Sequence, residues 1–352
     1  MRLRSPIPMS SGAIESTDNI VVKLVTDSGH VGWGEGVEAP ALTAQRQADV
    51  ITDIEALRPL VIGADPQRRN QLWLQLVTTA PEATTAIAAI DIAVHDLVGK
   101  ALGVPVYQLL GGLTREHIPA LTLVGSGDAS ADAEKLSAKF DEGYRWFKVK
   151  LGMGAQDDEV RTLAKAVEIA GADGVVCGDA NEAWQEDTAA AFLERLSGLG
   201  VRFVEQPISR REPERLKRLA AASPVAICAD EGAGSLGDIL ALAGSPVGGV
   251  SLKLIKHAGI TGVMRAAAIC TCGGLAINLA GKVIESSISA AANIHCAAAL
   301  DNIDYGCSPA NQGVVLDISR EPIALTRGGF DVPTGVGLGV DVDEQLLAEL
   351  SS

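Results

Sequence analysis

Five charged residues recur at a near-constant interval along the middle of the chain. They are Lys150, preceded by Lys148 in a Lys-Val-Lys run, then Asp179, Glu205, Asp230 and Lys253, at successive spacings of 29, 26, 25 and 23 residues. If each stands at the end of one structural repeat, all of them meet at one place. Three carboxylates gathered without cations repel one another, and one would titrate upwards. A divalent cation resolves that conflict, and an all-oxygen set suits Mg²⁺ better than zinc, because no histidine or cysteine falls at the matching positions. Lysines on either side of such a cation could remove and return a proton α to a carboxylate. Lys148, two residues from Lys150 on the same strand face, would help push the Lys150 pKa down.

Repeats of the required kind are present. After Gly111-Gly112, short β runs (PALTLVG, WFKVKLG, GVVCGDA, RFVEQP, VAICADE, GVSLKLI, LAINLAG) alternate with helical stretches such as Ala133–Phe140, Val160–Ile169, Ala189–Leu196, Glu212–Ala222 and Ile260–Ile269. An eighth run near Asn302–Gly306 completes eight β/α units, which predicts an α/β fold of the (β/α)8 barrel (TIM) type. In such barrels the active-site groups come from the C-terminal ends of the strands. Taken singly, each charge reads as a solvated strand face or a helix cap; the periodic conjunction is what points to a site. Ahead of the barrel, Ile20–Thr26 and His30–Glu35 read as a hairpin, and QLWLQLV and AIAAIDIAVHDLVGK as helices. The expected organisation is an α+β domain over 1–112, a barrel over 113–325, and a tail over 326–352 that packs back on the first domain.

Composition narrows the partners. The 352 residues carry a formal net charge of −15 with 47% hydrophobic residues, and no basic run is interleaved with aromatics, so neither nucleic acid nor an anionic membrane is expected as a partner. No apolar stretch reaches transmembrane length and no signal-like leader opens the chain, which reads as cytoplasmic. The six cysteines match neither a disulfide framework nor a paired zinc motif and read as small buried hydrophobes; Cys270-Thr271-Cys272 is the only close pair.

The set WFKVKLG, GDANEAW, VEQP, ADEG and SLKLIKHAG, with VGWGE, AIDIAVHDLVGKALGVPVYQLLGG and GVGLGVDVDEQLL at the two ends, resembles the enolase superfamily. Within it the resemblance is to the muconate-lactonising (mandelate racemase/muconate lactonizing enzyme) subgroup, which also holds epimerases and racemases. It runs nearly end to end and implies an N-terminal capping domain. It also implies that Asp179, Glu205 and Asp230 bind Mg²⁺, that Lys150 and Lys253 are the acid/base pair, and that Lys148 tunes Lys150. Lys256 competes with Lys253 but falls three residues beyond it, outside the strand. By the same resemblance Asn181 and Glu231 support the metal site, and Glu285 and Ser286 belong to the segment that contacts substrate. His257 and His295 fall at no expected strand mouth and read as structural.

Two departures bear on the substrate. The opening RLRSPIPMSSGAIES stands where family members have a longer strand; it resembles a mobile loop whose small, uncharged residues (Pro6, Ile7, Pro8, Met9, Ser10, Ser11) would influence specificity. Where dipeptide epimerases show Asp-x-Asp after the eighth strand, this chain reads DNIDYGCSP, so Asp304 is left as the residue that could grip a single substrate ammonium, or else cap a turn. The leading expectation is Mg²⁺-dependent racemisation or epimerisation of an amino-acid derivative through an enediolate. The alternatives are muconate-type cycloisomerisation, dehydration by syn elimination and, more remotely, a Schiff-base aldolase. The expected partner is a small carboxylate substrate, in a homo-oligomer.

Overall fold

The computed structural model describes residues 1–9 and 12–351. The chain opens with two antiparallel hairpins, β1 (Arg2–Met9) with β2 (Gly12–Ser16), and β3 (Asn19–Val25) with β4 (Val31–Val37). The second matches the expected hairpin to within two residues. The first replaces the loop expected over the opening segment. Its anchor is remote: Leu3 bridges to Val314, and the Val315 N–H donates to the Arg2 carbonyl at 2.8 Å, a partner some 300 residues away that local pattern cannot show. Ser10 and Ser11 lie outside the described residues.

β4 lies directly on helix Thr84–Leu102, which is buried from Thr85 to Gly99. The glycines of VGWGEG permit that approach; a Cβ on Gly34 would stand 2.7 Å from the Ala93 nitrogen.

Strand β5 (His117–Pro119) leads into the barrel. Its strands are β6 (Leu121–Val124), β7 (Trp146–Lys150), β8 (Val175–Asp179), β9 (Phe203–Glu205), β10 (Ala226–Ala229), β11 (Gly249–Leu252), β12 (Ala276–Ala280) and β13 (Gly306–Ser308). They form one parallel sheet in chain order, and a bridge from Ala120 to Cys307 brings its two edges together. The fold is therefore a (β/α)8 barrel with an N-terminal α+β unit. The eighth strand begins where the sequence reading ends it, because Asn302–Tyr305 form the turn that enters β13. Strand β14 (Gly329–Asp331) pairs antiparallel with β5, and the tail continues onto the N-terminal unit. There the Leu338 N–H donates to Asp96, Gly337 exchanges backbone bonds with Val104 and Val106, and Glu344 pairs with Lys23.

Inside the barrel, inward residues change character along β8, β9 and β10. Leu121, Cys177, Phe203, Cys228 and Tyr305 form an apolar floor, with the Phe203 and Tyr305 rings stacked 4.1 Å apart. Two residues further along the same faces stand the charges, Asp179 after Cys177, Glu205 after Phe203 and Asp230 after Cys228. Among the described residues no helix is long and apolar enough to cross a membrane.

Candidate active site

The strand ends gather the charged residues into one buried lattice. Lys150, Asp179 and Glu205 are register partners across β7, β8 and β9, while Asp230 and Lys253 immediately follow β10 and β11. Each carboxylate faces a lysine: Glu205 takes Lys148 at 2.5 Å, Asp179 takes Lys150 at 2.7 Å, and Asp230 takes Lys253 as well as Lys256 at 2.9 Å. Lys150 also donates to Asn181, whose amide in turn reaches Glu231 at 3.1 Å. All three carboxylates are at most 5% exposed. Lys150 and Lys253 stand on β7 and just past β11, four strands apart in a sheet of eight, and so face each other across the mouth.

The loops carrying these groups hold unusual backbone. Seven described non-glycine residues have positive φ, and five of them (Asn181, Glu182, Gln206, Ala258, Ile284) lie in the loops after β8, β9, β11 and β12. Such strain persists where surrounding structure over-determines it, and it concentrates at functional sites. Gln206 shows how: its side-chain oxygen accepts from the Asp230 and Gly232 N–H groups at 3.0 and 2.9 Å, so it shapes the loop that presents Asp230. Gly125, at the end of β6, has φ +142, and a Cβ there would stand 2.7 Å from the Lys150 Cβ.

The N-terminal unit fixes two of the same loops. Glu35, fully buried on β4, accepts from the Ser286 N–H and Oγ, the Ser289 N–H and the Asn19 amide. It thereby holds the N-terminus of helix Ser287–Ala299 and the loop after β12. Asp91 accepts from Thr261 N–H and Oγ1, and Trp73 donates to the Ala258 carbonyl at 2.7 Å, which fixes the loop after β11.

A match to the family described as "Mandelate racemase / muconate lactonizing enzyme, N-terminal domain" covers residues 1–111, and one to "Enolase C-terminal domain-like" covers residues 131–346. The chain belongs to the enolase superfamily, in its muconate-lactonizing subgroup. It is 33% identical over 97% of its length to a chloromuconate cycloisomerase of Pseudomonas putida, covering 94% of that protein. It is 32% identical to a hydrophobic dipeptide epimerase of Enterococcus faecalis, over 86% of this chain and 85% of that one. Among solved structures, muconate lactonizing enzyme from Pseudomonas fluorescens complexed with muconolactone superposes with a TM-score of 0.93 at 29% identity, covering 99% of this chain and 95% of that one. The protein is accordingly an enzyme.

Enzymes of this superfamily generally use Mg²⁺, and the residues present fit such an ion. The donors of Asp179, Glu205 and Asp230 are all hard oxygens on consecutive strand ends, and next to them the Glu231 Oε2 is buried without a partner. No cage stands preformed among the described residues, because each carboxylate is turned onto a lysine. Burial opposes charge on Asp230, yet Lys253 and Lys256 hold it well below the usual carboxylate value; Lys150 and Lys148 do the same, less strongly, for Asp179. Burial pushes Glu205 up, helped by Asp179 and Asp230 beside it. Burial and the Asp230 and Asp179 charges push Glu231 up to about 7. On the lysine side, burial is outweighed by Glu205 and Asp179 at Lys148, and by Asp230 at Lys253, so both are raised.

Other expected residues fall elsewhere. Asp304 is exposed in the turn before β13, at the N-terminal end of the barrel, where it lines a surface pocket of about 510 Å³ with Arg115, Trp146 and Arg202. The charged strand ends lie at the other end of the barrel, so the structure does not bring Asp304 together with them. The sequence pattern predicts the eighth strand over Asn302–Gly306, whereas β13 starts at Gly306, so Asp304 precedes the strand. Ser286 is fully buried, and its hydroxyl is already engaged, donating to Glu35 and capping its helix by accepting from the Ile288 N–H. Glu285 lies under the loop after β12, accepting from the Lys282 N–H at 2.6 Å, and burial pushes it up to about 8. Lys256 follows the strand as expected, but its side chain turns back to Asp230 and the Ser251 carbonyl.

His257 and His295 are buried on backbone carbonyls, and burial lowers them to about 3 and about 4. Five cysteines are buried and Cys272 is exposed. Sequence reasoning missed Glu35, Gln206 and Asn278, whose amide donates to Ser251 Oγ at 2.8 Å and reaches Glu205 at 3.3 Å. Glu35 stood inside the quoted VGWGE and Gln206 inside VEQP, but their partners are visible only in three dimensions.

Proposed function

We propose that this enzyme moves the proton on the carbon α to a substrate carboxylate, and that its reaction is the cycloisomerisation of a muconate-type dicarboxylate. The observation that carries the proton chemistry is the pair Lys150 and Lys253, facing each other across the mouth with three carboxylate-bearing strand ends between them. Asp179, Glu205 and Asp230 would hold Mg²⁺. When bound, that ion supplies the positive charge that offsets developing negative charge on the substrate carboxylate.

The chain's own groups do the rest. Lys148 and Asn278 hold Glu205 in place, Lys256 holds Asp230, and Gln206 fixes the loop on which Asp230 stands. The N-terminal unit, through Glu35, Asp91 and Trp73, keeps the loops after β11 and β12 in register with the barrel. In ring closure, one carboxylate oxygen of a conjugated diacid adds to a carbon–carbon double bond. Negative charge develops α to the other carboxylate, and a lysine ammonium delivers its proton there. Run in reverse, the same lysine as free amine removes that proton.

Racemisation or epimerisation uses both lysines, one on each face, and the geometry and the epimerase relative support it as a second reading. What weighs against an amino-terminal substrate is the end of β13: beyond Ser308 the chain reads Pro-Ala-Asn-Gln-Gly-Val-Val-Leu, with no acid before Asp317, and Asp317 is committed to Ser287 and Ser319. Such an acid is what an ammonium would need.

The test is incubation with cis,cis-muconate and Mg²⁺ in D₂O, followed by ultraviolet absorbance and NMR. Loss of the diene absorbance with one deuteron in a lactone product supports cycloisomerisation. Inert muconate, with deuterium exchange at the α-carbon of N-acyl amino acids, transfers the assignment to racemisation. We place the enzyme in the cytoplasm, acting as a homo-oligomer.

A further inference from the structure

Four of the five lysines around the mouth are paired with carboxylates, and the fifth is not. Lys282 follows β12 by two residues, in the loop held down by the Gly281 N–H on the Ser308 carbonyl and by its own N–H on Glu285. It is half-buried, and among the described residues its ammonium has neither an ion-pair partner nor a hydrogen-bond acceptor. Burial and the nearby Lys253 and Lys150 pull its pKa below the usual lysine value against Glu285 and Glu38. Glu285 is occupied by the Lys282 backbone, and Glu38 accepts from the Gln47 N–H at 3.2 Å.

Its place around the ring gives this cation a purpose. Going round the mouth, Lys150, Asp179, Glu205, Asp230 and Lys253 occupy β7 to β11, and Lys282 comes next, on the half that bears none of the three carboxylates. A substrate carboxylate drawn to the acidic half puts its α-carbon between Lys150 and Lys253. The remainder of the molecule must then extend toward β12, β13 and β6. The loops after β13 and β6 begin Pro-Ala-Asn-Gln and Gly-Ser-Gly, so neither brings a cation to that half. A half-buried ammonium without a counter-ion is costly until an anion reaches it.

We propose that Lys282 is a specificity-determining residue that binds a second anionic group of the substrate, a distal carboxylate. This rests on the reading of the mouth as a site for proton transfer α to a carboxylate, and it adds the residue that selects the far end of the substrate.

The test compares two ligands of equal carbon skeleton, hexa-2,4-dienedioate with two carboxylates and hexa-2,4-dienoate with one. Binding is measured calorimetrically in Mg²⁺ to the wild type, Lys282→Met and Lys282→Arg, with thermal melts establishing that all three fold. The wild type should prefer the dicarboxylate by about tenfold or more, as a charge-assisted contact would give. Lys282→Met should bring the two ligands within about twofold, Lys282→Arg should keep most of the preference, and for any substrate turned over the loss should fall mainly on KM.

A wild type with no preference, or a Lys282→Met protein that keeps it, overturns the assignment. A melt in which Lys282→Met is unfolded transfers the decision to Lys282→Arg and Lys282→Gln, whose retention and loss of the preference are required. The two readings separate cleanly. If the wild type turns over no carboxylate but shows a Lys282-dependent preference, the proposed reaction falls and the anion site stands; if muconate is turned over equally well by Lys282→Met, the reverse holds.

Discussion

The two ends of the barrel are built from the same strands and differ in almost every physical respect. At the N-terminal end, inward positions carry Leu121, Cys177, Phe203, Cys228 and Tyr305, packed as an apolar plug with one ring stack. Charges there, Asp304 and Arg202, stay exposed. Two residues along β8, β9 and β10, the inward positions carry Asp179, Glu205 and Asp230, buried and paired with lysines from β7 and the loop after β11, under loops with positive-φ backbone at Asn181, Glu182, Gln206, Ala258 and Ile284. An apolar plug stabilises by area removed from water, whereas a buried ionic ring costs desolvation that its own pairs only partly repay. The floor therefore reads as stability, and the mouth as function held in place by its surroundings.

That contrast is breakable. The largest effects belong to the mouth: Lys150→Ala or Lys253→Ala, whichever removes the lysine that delivers the proton, should lower muconate turnover by roughly 10²–10⁴-fold, the range for lost acid–base catalysis, whereas racemisation would lose as much in both variants; removal of Mg²⁺ by EDTA should be at least as severe, measured by NMR of product formation. Next comes Asp230→Ala, which leaves Lys253 and Lys256 without their carboxylate. Breaking a buried pair in this way should cost roughly 3–5 kcal/mol in urea unfolding.

Glu35→Ala sits between the two regions. It strands the Ser286 and Ser289 N–H groups and should cost roughly 1–3 kcal/mol while raising KM, since the loop after β12 loses its anchor.

The pH dependence has a definite sign at Glu285, whose carboxyl is raised from 4.5 to about 8 by burial. The folded state then holds a proton that the unfolded state has lost. Its stabilising contribution is fully present below about pH 4.5 and disappears as pH rises through about 8. Glu285→Gln should flatten that decline in melts taken across the window. The smallest effect is at the floor: Asp304→Ala should change stability by no more than about 0.5 kcal/mol and leave turnover unchanged. A large loss there would erase the distinction between the two ends.

Much of this was legible in the chain. The intervals separating Lys150, Asp179, Glu205, Asp230 and Lys253 place each at a strand end, because a β/α unit has a narrow range of lengths and the barrel turns that periodicity into proximity. The eighth strand starts later than the sequence pattern predicts, for a local reason. Gly306-Cys307-Ser308 has no β-branched residue, while Ile303 and Tyr305 just before it look like strand, so the pattern places Asp304 within a strand that it in fact precedes. Ser286 and Glu285 were found as a segment, but their orientation depends on Glu35 and Asn293, respectively about 250 residues away and eight residues along the helix. Lys256 lies outside the strand, so its position alone does not point to the site, although a lysine is long enough to turn back to Asp230. Gln206 and Asn278 act through neighbours on adjacent strands, information that residue order does not carry.

The central claim is that the ring at the mouth, and not the floor, moves the substrate proton. The most direct measurement is proton NMR in D₂O with Mg²⁺ on muconate and a panel of N-acyl amino acids, run in parallel on the wild type, Lys150→Ala, Lys253→Ala and Asp304→Ala. Deuterium should enter α to the carboxylate with the wild type and Asp304→Ala, fail to enter without Mg²⁺, and be lost or confined to one face in the lysine variants. Incorporation at the wild-type rate in both Lys150→Ala and Lys253→Ala would contradict the account.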